Sequence, residues 1–247
     1  MKVTFIGTSH GVPAPDRYCS CTMLEVGGAV YFIDGGTSIA DAILSHGKHP
    51  NDIRAVFTTH SHGDHINGIL PLADLVSWYY KEASVDIYMT QQDIIDAMTR
   101  LIEISIGAPL ASDRVRFKLV NADFVYEDEN IRVSLVPTRH LAHADRPAYS
   151  IVVEAEGKKL LFTGDMSQWL KKEDFPKIAS EQDFDVVVSE MAHFTPEQVA
   201  PYMETCRTKE FWFTHVFPLE KFEAIEAMDG KYPYPVKIAH DEDEIIF

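Results

Sequence analysis

The sequence is short of cysteines, of long apolar runs and of basic residues, and each shortage excludes a class of protein. Three cysteines in 247 residues are too few, and odd in number, for a disulfide framework. No apolar stretch approaches the roughly 20 residues that a membrane helix needs. The N-terminal segment lacks the apolar centre of a secretion signal. We therefore expect a cytoplasmic protein without a membrane segment.

Basic residues are outnumbered, with 22 Lys and Arg against 38 Asp and Glu and a net charge of −16. A field of that sign repels polyanions. We therefore expect a small-molecule substrate and do not expect a large nucleic acid as partner. No repeat, low-complexity segment or linker interrupts the chain, so a single domain over residues 1–247 is predicted.

Ten β-rich apolar runs predict the strands of the fold. Gly27 and Gly28, between the second and third runs, predict a tight hairpin turn. The predicted strands cover residues 2–6, 22–26, 29–34, 54–58, 85–89, 131–137, 148–155, 158–165, 184–190 and 210–215.

Helical spacing of apolar residues predicts helices over 64–80, 91–104 and 195–206. Pro71 is expected to start a second piece of the first helix or to kink it. Thr195 is the expected N-cap of the last helix, with Pro196 at its first position. Strands followed by helices, twice over, predict an α/β fold of two similar halves. In it two sheets face each other with helices outside.

The segment "TTHSHGDHING", 58–68, concentrates histidine in a chain that has only 11. His60 and His62 alternate at a strand end, so both imidazoles can point to one side. Gly63 permits a turn, and Asp64 and His65 begin a helix. The loop can offer four ligands to two cations, and its nitrogen and carboxylate donors suit zinc, iron or manganese. Chance and a solvated, pH-sensitive loop are the disfavoured alternatives.

Further donors stand at the ends of other predicted strands. "VSLVPTRH" ends at His140, "KLLFTGD" at Asp165 and "FWFTH" at His215. Loops at strand ends build sites over a rigid sheet. These positions favour the metal-site interpretation of the histidine loop.

The order of these motifs resembles the metallo-β-lactamase-fold hydrolases over essentially the whole chain. The opening, "TFIGTSHGVPAPDR" with "CTMLEVGGAVYFIDGGTS", looks like the ribonuclease Z and phosphodiesterase branch. The resemblance implies a four-layer αββα sandwich with a binuclear metal site at one edge. It also implies that Asp34 buttresses the metal loop, although an Asp there can equally bond turn amides.

The resemblance further implies a ligand set for two divalent cations and a bridging hydroxide. His143 is a rival for one ligand, but His140 is preferred because it directly follows a strand. Asp64 is counted as catalytic as well as metal-binding. One cation takes His60, His62 and His140, the other takes Asp64, His65 and His215, and Asp165 bridges them.

The segment "SEMAHF", 189–194, imperfectly echoes a Glu- and Ala-containing motif of ribonuclease Z. We hypothesise that His193 donates a proton to the leaving oxygen or binds a phosphoryl oxygen. Its alternative is a half-buried histidine that caps the turn. His10 is a solvated loop histidine or lines the mouth of the site. Cys19 and Cys21 are expected to be small buried hydrophobes rather than ligands.

These inferences predict a hydrolase in which two cations activate a bound water as a hydroxide. Zinc is the preferred metal, and manganese and iron are the alternatives. Ribonuclease Z enzymes carry a long tRNA-gripping arm between the strand-end histidine and the bridging aspartate. Here His140 and Asp165 are only 25 positions apart, filled by a predicted hairpin. The preferred substrate is therefore a small phosphodiester, similar to a cyclic nucleotide.

Other functions stay open at this point. The same centre suits a thioester, lactone or amide hydrolase. A di-iron redox protein is a second alternative, although such proteins usually keep a carboxylate at the position of His62. A non-enzymatic binding module is a third. A homodimer is also open, since Trp78, Tyr79 and Tyr80 can line an interface or a pocket, although at helical spacing core and rim positions are commoner.

Overall fold

The computed structural model describes residues 1–12, 14–167 and 174–247, and the chain forms two compact units. Unit 1 contains Met1–Gly7, Pro13–Val120 and Asp241–Phe247. Unit 2 contains Thr8–Val12 and Asn121–His240. Each unit has its own seven-stranded sheet. The one-domain organisation over residues 1–247 stays a prediction.

The sheet of unit 1 has the strand order β14-β1-β2-β3-β4-β5-β6. Strands β3 to β6 run parallel, and β14, β1, β2 and β3 run antiparallel. Gly27 and Gly28 have φ values of 59° and 85°, which confirms the predicted tight turn between β2 and β3. The strands are β1 Lys2–Gly7, β2 Cys21–Val26, β3 Ala29–Ile33, β4 Ile53–Phe57, β5 Val85–Met89, β6 Val115–Leu119 and β14 Glu244–Ile246.

The helices of unit 1 cover one face of this sheet with an apolar core. Phe32, Val56 and Ile87 on that face are buried in one cluster with Leu72 and Ile102 of the helices. The predicted helix over 64–80 is broken, but its break lies at 67–68. Pro71 instead lies in the first turn of α3, where its missing N–H costs little. The helices are α1 Ile39–Ser45, α2 Gly63–Ile66, α3 Ile69–Trp78 and α4 Gln92–Ile106, with a 3₁₀ turn at Pro50–Asp52.

The sheet of unit 2 has the strand order β13-β12-β11-β10-β9-β8-β7. Strands β10 to β13 run parallel and β7 to β10 antiparallel. Both sheets thus join a parallel part to an antiparallel part. The strands are β7 Val125–Glu127, β8 Arg132–Thr138, β9 Ala148–Ala155, β10 Lys158–Phe162, β11 Phe184–Met191, β12 Thr208–Val216 and β13 Val236–Ile238.

The helices of unit 2 share a second apolar core with its sheet. Val187 and Phe213 of the strands are buried in one cluster with Val199 and Ile225 of the helices. The predicted capping of the helix over 195–206 is confirmed, because Gln198 accepts a hydrogen bond from the Thr195 N–H at 3.0 Å. The helices are α5 Ile178–Glu181, α6 Pro196–Met203 and α7 Lys221–Glu226, with a 3₁₀ turn at Ala142–Ala144.

All ten predicted strands are present, and β9 and β10 form the hairpin predicted between His140 and Asp165. The prediction for β10 ran to residue 165, but the strand ends at Phe162, which leaves Thr163, Gly164 and Asp165 outside it. In the described ranges, no helix is both long enough and apolar enough to cross a membrane.

Candidate metal centre

The metal-ligand candidates of unit 1 lie where β4 ends. His60 is fully buried, with its Nε2 atom 3.1 Å from Nδ1 of His62. The His65 ring lies 4.1 Å from the His60 ring, and its Nε2 atom is 3.6 Å from an Asp64 carboxylate oxygen. The four side chains predicted from "HSHGDH" therefore converge within this unit.

Asp34 follows β3 and orients this loop through its carboxylate. Its oxygens accept hydrogen bonds from the Thr59 N–H at 2.7 Å and the Thr59 hydroxyl at 2.9 Å. Its Oδ2 atom lies 2.7 Å from His65 Nδ1. A carboxylate on Nδ1 turns the opposite nitrogen of an imidazole toward a metal. Asp34 therefore contacts the histidine loop as the resemblance implies, and the amide that it binds is that of Thr59 in this loop.

Replacing Asp34 by alanine is expected to weaken metal binding by about 10- to 100-fold, because His65 loses the partner that orients its ring. A colour-changing zinc chelator in competition with the protein measures this affinity. Asp41→Ala is the matched control, since Asp41 is an exposed carboxylate of the same unit. An equal loss in both variants would show that general charge, rather than orientation, controls affinity.

The candidates of unit 2 lie at one edge of its sheet, because β8, β10, β11 and β12 point the same way. Asp165 is buried at their centre. Its Oδ2 atom lies 3.4 Å from His215 Nε2, 3.7 Å from His140 Nε2 and 3.8 Å from His193 Nδ1. Three imidazoles thus surround one buried carboxylate.

His215 is held in an uncommon backbone conformation. Its φ is 54°, in the left-handed region where a non-glycine residue carries about 1–3 kcal/mol of strain. The His215 N–H donates to the Thr8 carbonyl at 2.9 Å. Such strain is typical of functional positions, and here it falls on a predicted ligand.

The two rival histidines of the 139–147 loop are clearly different. His140 is buried, and its Nδ1 atom lies 3.1 Å from the Met166 carbonyl oxygen. A backbone carbonyl is one of the usual partners that fix a metal-binding imidazole. His143 is exposed on the 3₁₀ turn. The geometry of unit 2 therefore supports the preference for His140.

His193 is held by Glu190 beside these donors. Glu190 Oε1 lies 3.1 Å from His193 Nδ1, and Oε2 accepts the His193 N–H at 2.9 Å. The His193 ring lies 4.8 Å from the His140 ring. His193 is thus a half-buried turn residue, as the alternative interpretation has it. Its ring also lies close to His140, as a proton donor at this site must.

His10 is not a solvated loop side chain. Its ring is half-buried, stacks on Phe217 at 4.7 Å and lies 5.0 Å from the His215 ring. Burial raises the pKa of the Cys19 and Cys21 thiols. Cys21 is buried as expected, whereas Cys19 is only half-buried.

Sequence reasoning missed two residues that hold the unit 2 donors. Asp174 accepts hydrogen bonds from the Arg139 N–H at 2.8 Å and from the Ser167 N–H, beside His140 and Asp165. Burial raises the pKa of Asp174. Lys221 binds the turn that carries His193. Both residues bind backbone atoms, and Asp174–Arg139 and all the Lys221 contacts join residues more than 25 positions apart. No local sequence pattern indicates such contacts.

Similarity to known proteins covers most of the chain. The model of a family described as anti-Pycsar protein Apyc1 matches residues 1–215. A ribonuclease Z from Synechococcus sp. (strain WH7803) is 32% identical over 160 residues, which are 62% of this chain and 48% of that protein. The chain thus matches about half the length of such curated relatives.

Solved structures show the fold. The metallo-β-lactamase fold protein YhfI from Bacillus subtilis has a TM-score of 0.76 at 18% identity, covering 99% of both chains. The short form of human tRNase Z has a TM-score of 0.73 at 22% identity, covering 100% of this chain and 99% of that one. The predicted metallo-β-lactamase fold and the resemblance to ribonuclease Z are confirmed.

Proposed function

Since the chain belongs to the family described as anti-Pycsar protein Apyc1, with the metallo-β-lactamase fold, we propose that it is a metal-dependent hydrolase of a small phosphodiester. The observation that carries this proposal is the environment of Asp165. This buried carboxylate lies 3.7 Å from His140 Nε2 and 3.4 Å from His215 Nε2. Such a donor set suits zinc, and also manganese or iron.

We propose that the chain binds two divalent cations. Bound there, the cations would supply an activated water as the nucleophile. The donors are oriented before binding, His65 by Asp34 and His140 by the Met166 carbonyl. The proposed ligands are His60, His62, Asp64, His65, His140, Asp165 and His215.

His193 has a separate part in the proposed reaction. With its Nδ1–H on Glu190, the protonated ring would give the proton on Nε2 to the leaving oxygen and become neutral. Proton transfer to the leaving oxygen by a positioned side chain typically contributes 10²- to 10⁴-fold. We assign this step to His193, and we assign Asp64 to the catalytic centre as a metal ligand.

Charge and chain length favour a small substrate. The net charge of −16 opposes a long polyanion. The stretch between His140 and Asp165 is occupied by β9 and β10, which leaves no length for a tRNA-gripping arm. A small phosphodiester similar to a cyclic nucleotide fits both facts.

A metal-reconstituted substrate screen tests the proposal. Protein stripped with a chelator is reloaded with zinc, manganese or iron and its metal content is measured. Chromogenic and cyclic phosphodiesters are then compared with thioesters, lactones and amides. We expect phosphodiester turnover with about two metal ions per chain and none after stripping. Faster turnover of the thioesters, lactones or amides would show that the substrate is not a phosphodiester. Bound iron without hydrolysis would favour a redox protein.

His193→Ala is expected to lower kcat by about 10²- to 10⁴-fold on a phosphodiester with an alkoxide leaving group. The loss should be much smaller with p-nitrophenolate, which leaves without a proton. Metal content should not change. Initial rates on the two substrates measure this difference. Equal losses on both leaving groups would remove His193 as the proton donor.

A further inference from the structure

The turn that carries His193, Met191–Phe194, is held between two opposite charges. Its carbonyl groups converge on the ammonium of Lys221, with distances of 2.7 Å to Met191, 3.0 Å to Ala192 and 2.6 Å to Phe194. An ammonium has three N–H donors, and all three are used here. The cation is therefore bonded completely to this one turn.

The amide side of the same turn faces the carboxylate of Glu190. Its Oε2 atom accepts the N–H groups of both Ala192 and His193, at 2.5 Å and 2.9 Å. Its Oε1 atom accepts the Met166 N–H at 3.2 Å and bonds the His193 ring. Ala192 thus has its N–H on the anion and its carbonyl on the cation.

We propose that Lys221 is a positioning residue that acts through His193, which rests on the role proposed above for that histidine. Lys221 fixes the turn from its carbonyl side, so that Glu190 can hold His193 Nδ1 and leave Nε2 directed to substrate. Charge-assisted hydrogen bonds are about twice as strong as neutral ones. Three of them on four consecutive residues leave that backbone little freedom.

Burial fits this assignment. Lys221 is half-buried, and burial lowers its pKa while the charge of Glu190 opposes that shift. Removing an ammonium from water costs free energy, and close hydrogen-bond acceptors must offset that cost. A lysine that packs only through its methylene chain keeps its ammonium in solvent. Here the ammonium itself makes the contacts.

A double-mutant cycle separates positioning from general stability. Lys221→Met is expected to lower kcat about 10- to 100-fold with little change in KM or metal content, the usual effect of removing an orienting partner. In a His193→Ala background the same substitution should change kcat less than threefold. Equal losses in both backgrounds would overturn the proposal. Lys237→Met is the control, since Lys237 pairs with Glu210 on the exposed side of the same unit.

A second measurement does not need turnover. Nitrogen-15 NMR of the zinc-loaded protein reports the tautomer of His193, identified by the signal that His193→Ala removes. At a pH where the His193 ring is neutral, we expect one Nδ1-protonated tautomer in the wild type and a mixture in Lys221→Met. A single unchanged tautomer would contradict the proposal even if the enzyme cleaves another bond. If Lys221→Met does not fold, Lys221→Arg keeps the charge but not the convergent donors and should show the same mixture.

Discussion

His140→Ala is expected to release about one metal ion per chain and to lower turnover about 10³-fold. His140 is buried and already oriented by the Met166 carbonyl, and its Nε2 atom lies 3.7 Å from the Asp165 carboxylate. A catalytic cation supplies several kcal/mol of transition-state stabilisation, and about 4 kcal/mol corresponds to a factor of 10³ in rate. Elemental analysis and initial rates on the best phosphodiester measure the two effects.

The matched control for this prediction is three positions away. His143→Ala removes an exposed imidazole from the same loop and should leave metal content and turnover unchanged within about twofold, as is usual for surface substitutions. If His143→Ala loses the metal and His140→Ala keeps it, the ligand assignment in this loop is wrong. If neither loses it, the loop supplies no ligand.

Gly36→Ala is expected to destabilise the protein by about 3 kcal/mol and to abolish the metal binding proposed for the His60–His65 loop. A Cβ atom on Gly36 would lie 1.8 Å from the Asp64 carbonyl oxygen and 2.9 Å from Cys19 Cβ. A backbone carbonyl cannot rotate away as a flexible side chain can, so Asp64 and its helix must move. The Gly35 N–H also donates to the His65 carbonyl at 2.7 Å, so that motion breaks a second tie.

Thermal unfolding and metal titration test this prediction together. Gly28→Ala is the control, because Gly28 has a φ of 85° and open space where a Cβ would stand. It should cost about 1–2 kcal/mol of backbone strain and leave metal affinity unchanged. A Gly36→Ala protein that binds metal as the wild type does would show that the loop tolerates the displacement.

The strands that the sequence did not predict share one property. They are β6, β7, β13 and β14, and each lies at an outer end of one of the two sheets. Three of them have only three residues, and β6 carries Arg116 and Lys118. Edge strands are commonly short and charged, so they lack the apolar periodicity on which prediction depends. The interior strands have that signal and were all predicted.

The helix break shows a different limit. Proline at 71 was the sequence signal for an interruption, yet α2 ends at Ile66 and α3 begins at Ile69. At the break the Gly68 N–H donates to the Gly35 carbonyl at 2.7 Å instead of to its own helix. Only glycine fits there, since a Cβ would lie 1.6 Å from the Thr37 carbonyl oxygen. That contact joins residues 31 positions apart. A tertiary approach, rather than a local preference, therefore decided where the helix stops.

The sequence by itself determined the donors and the strands that carry them, because "HSHGDH" and the strand-end residues His140, Asp165 and His215 follow local apolar runs. Its motifs also indicated the metallo-β-lactamase fold, which the comparisons with known families and structures confirm. The tertiary structure added what distinguishes His140 from His143, since only His140 is buried against the Met166 carbonyl. It also turned Glu190 onto His193 and brought Lys221 to three carbonyls about 30 positions away. The physical reason is that a donor type is a property of one residue, whereas its orientation is set by partners that only folding brings within hydrogen-bond distance.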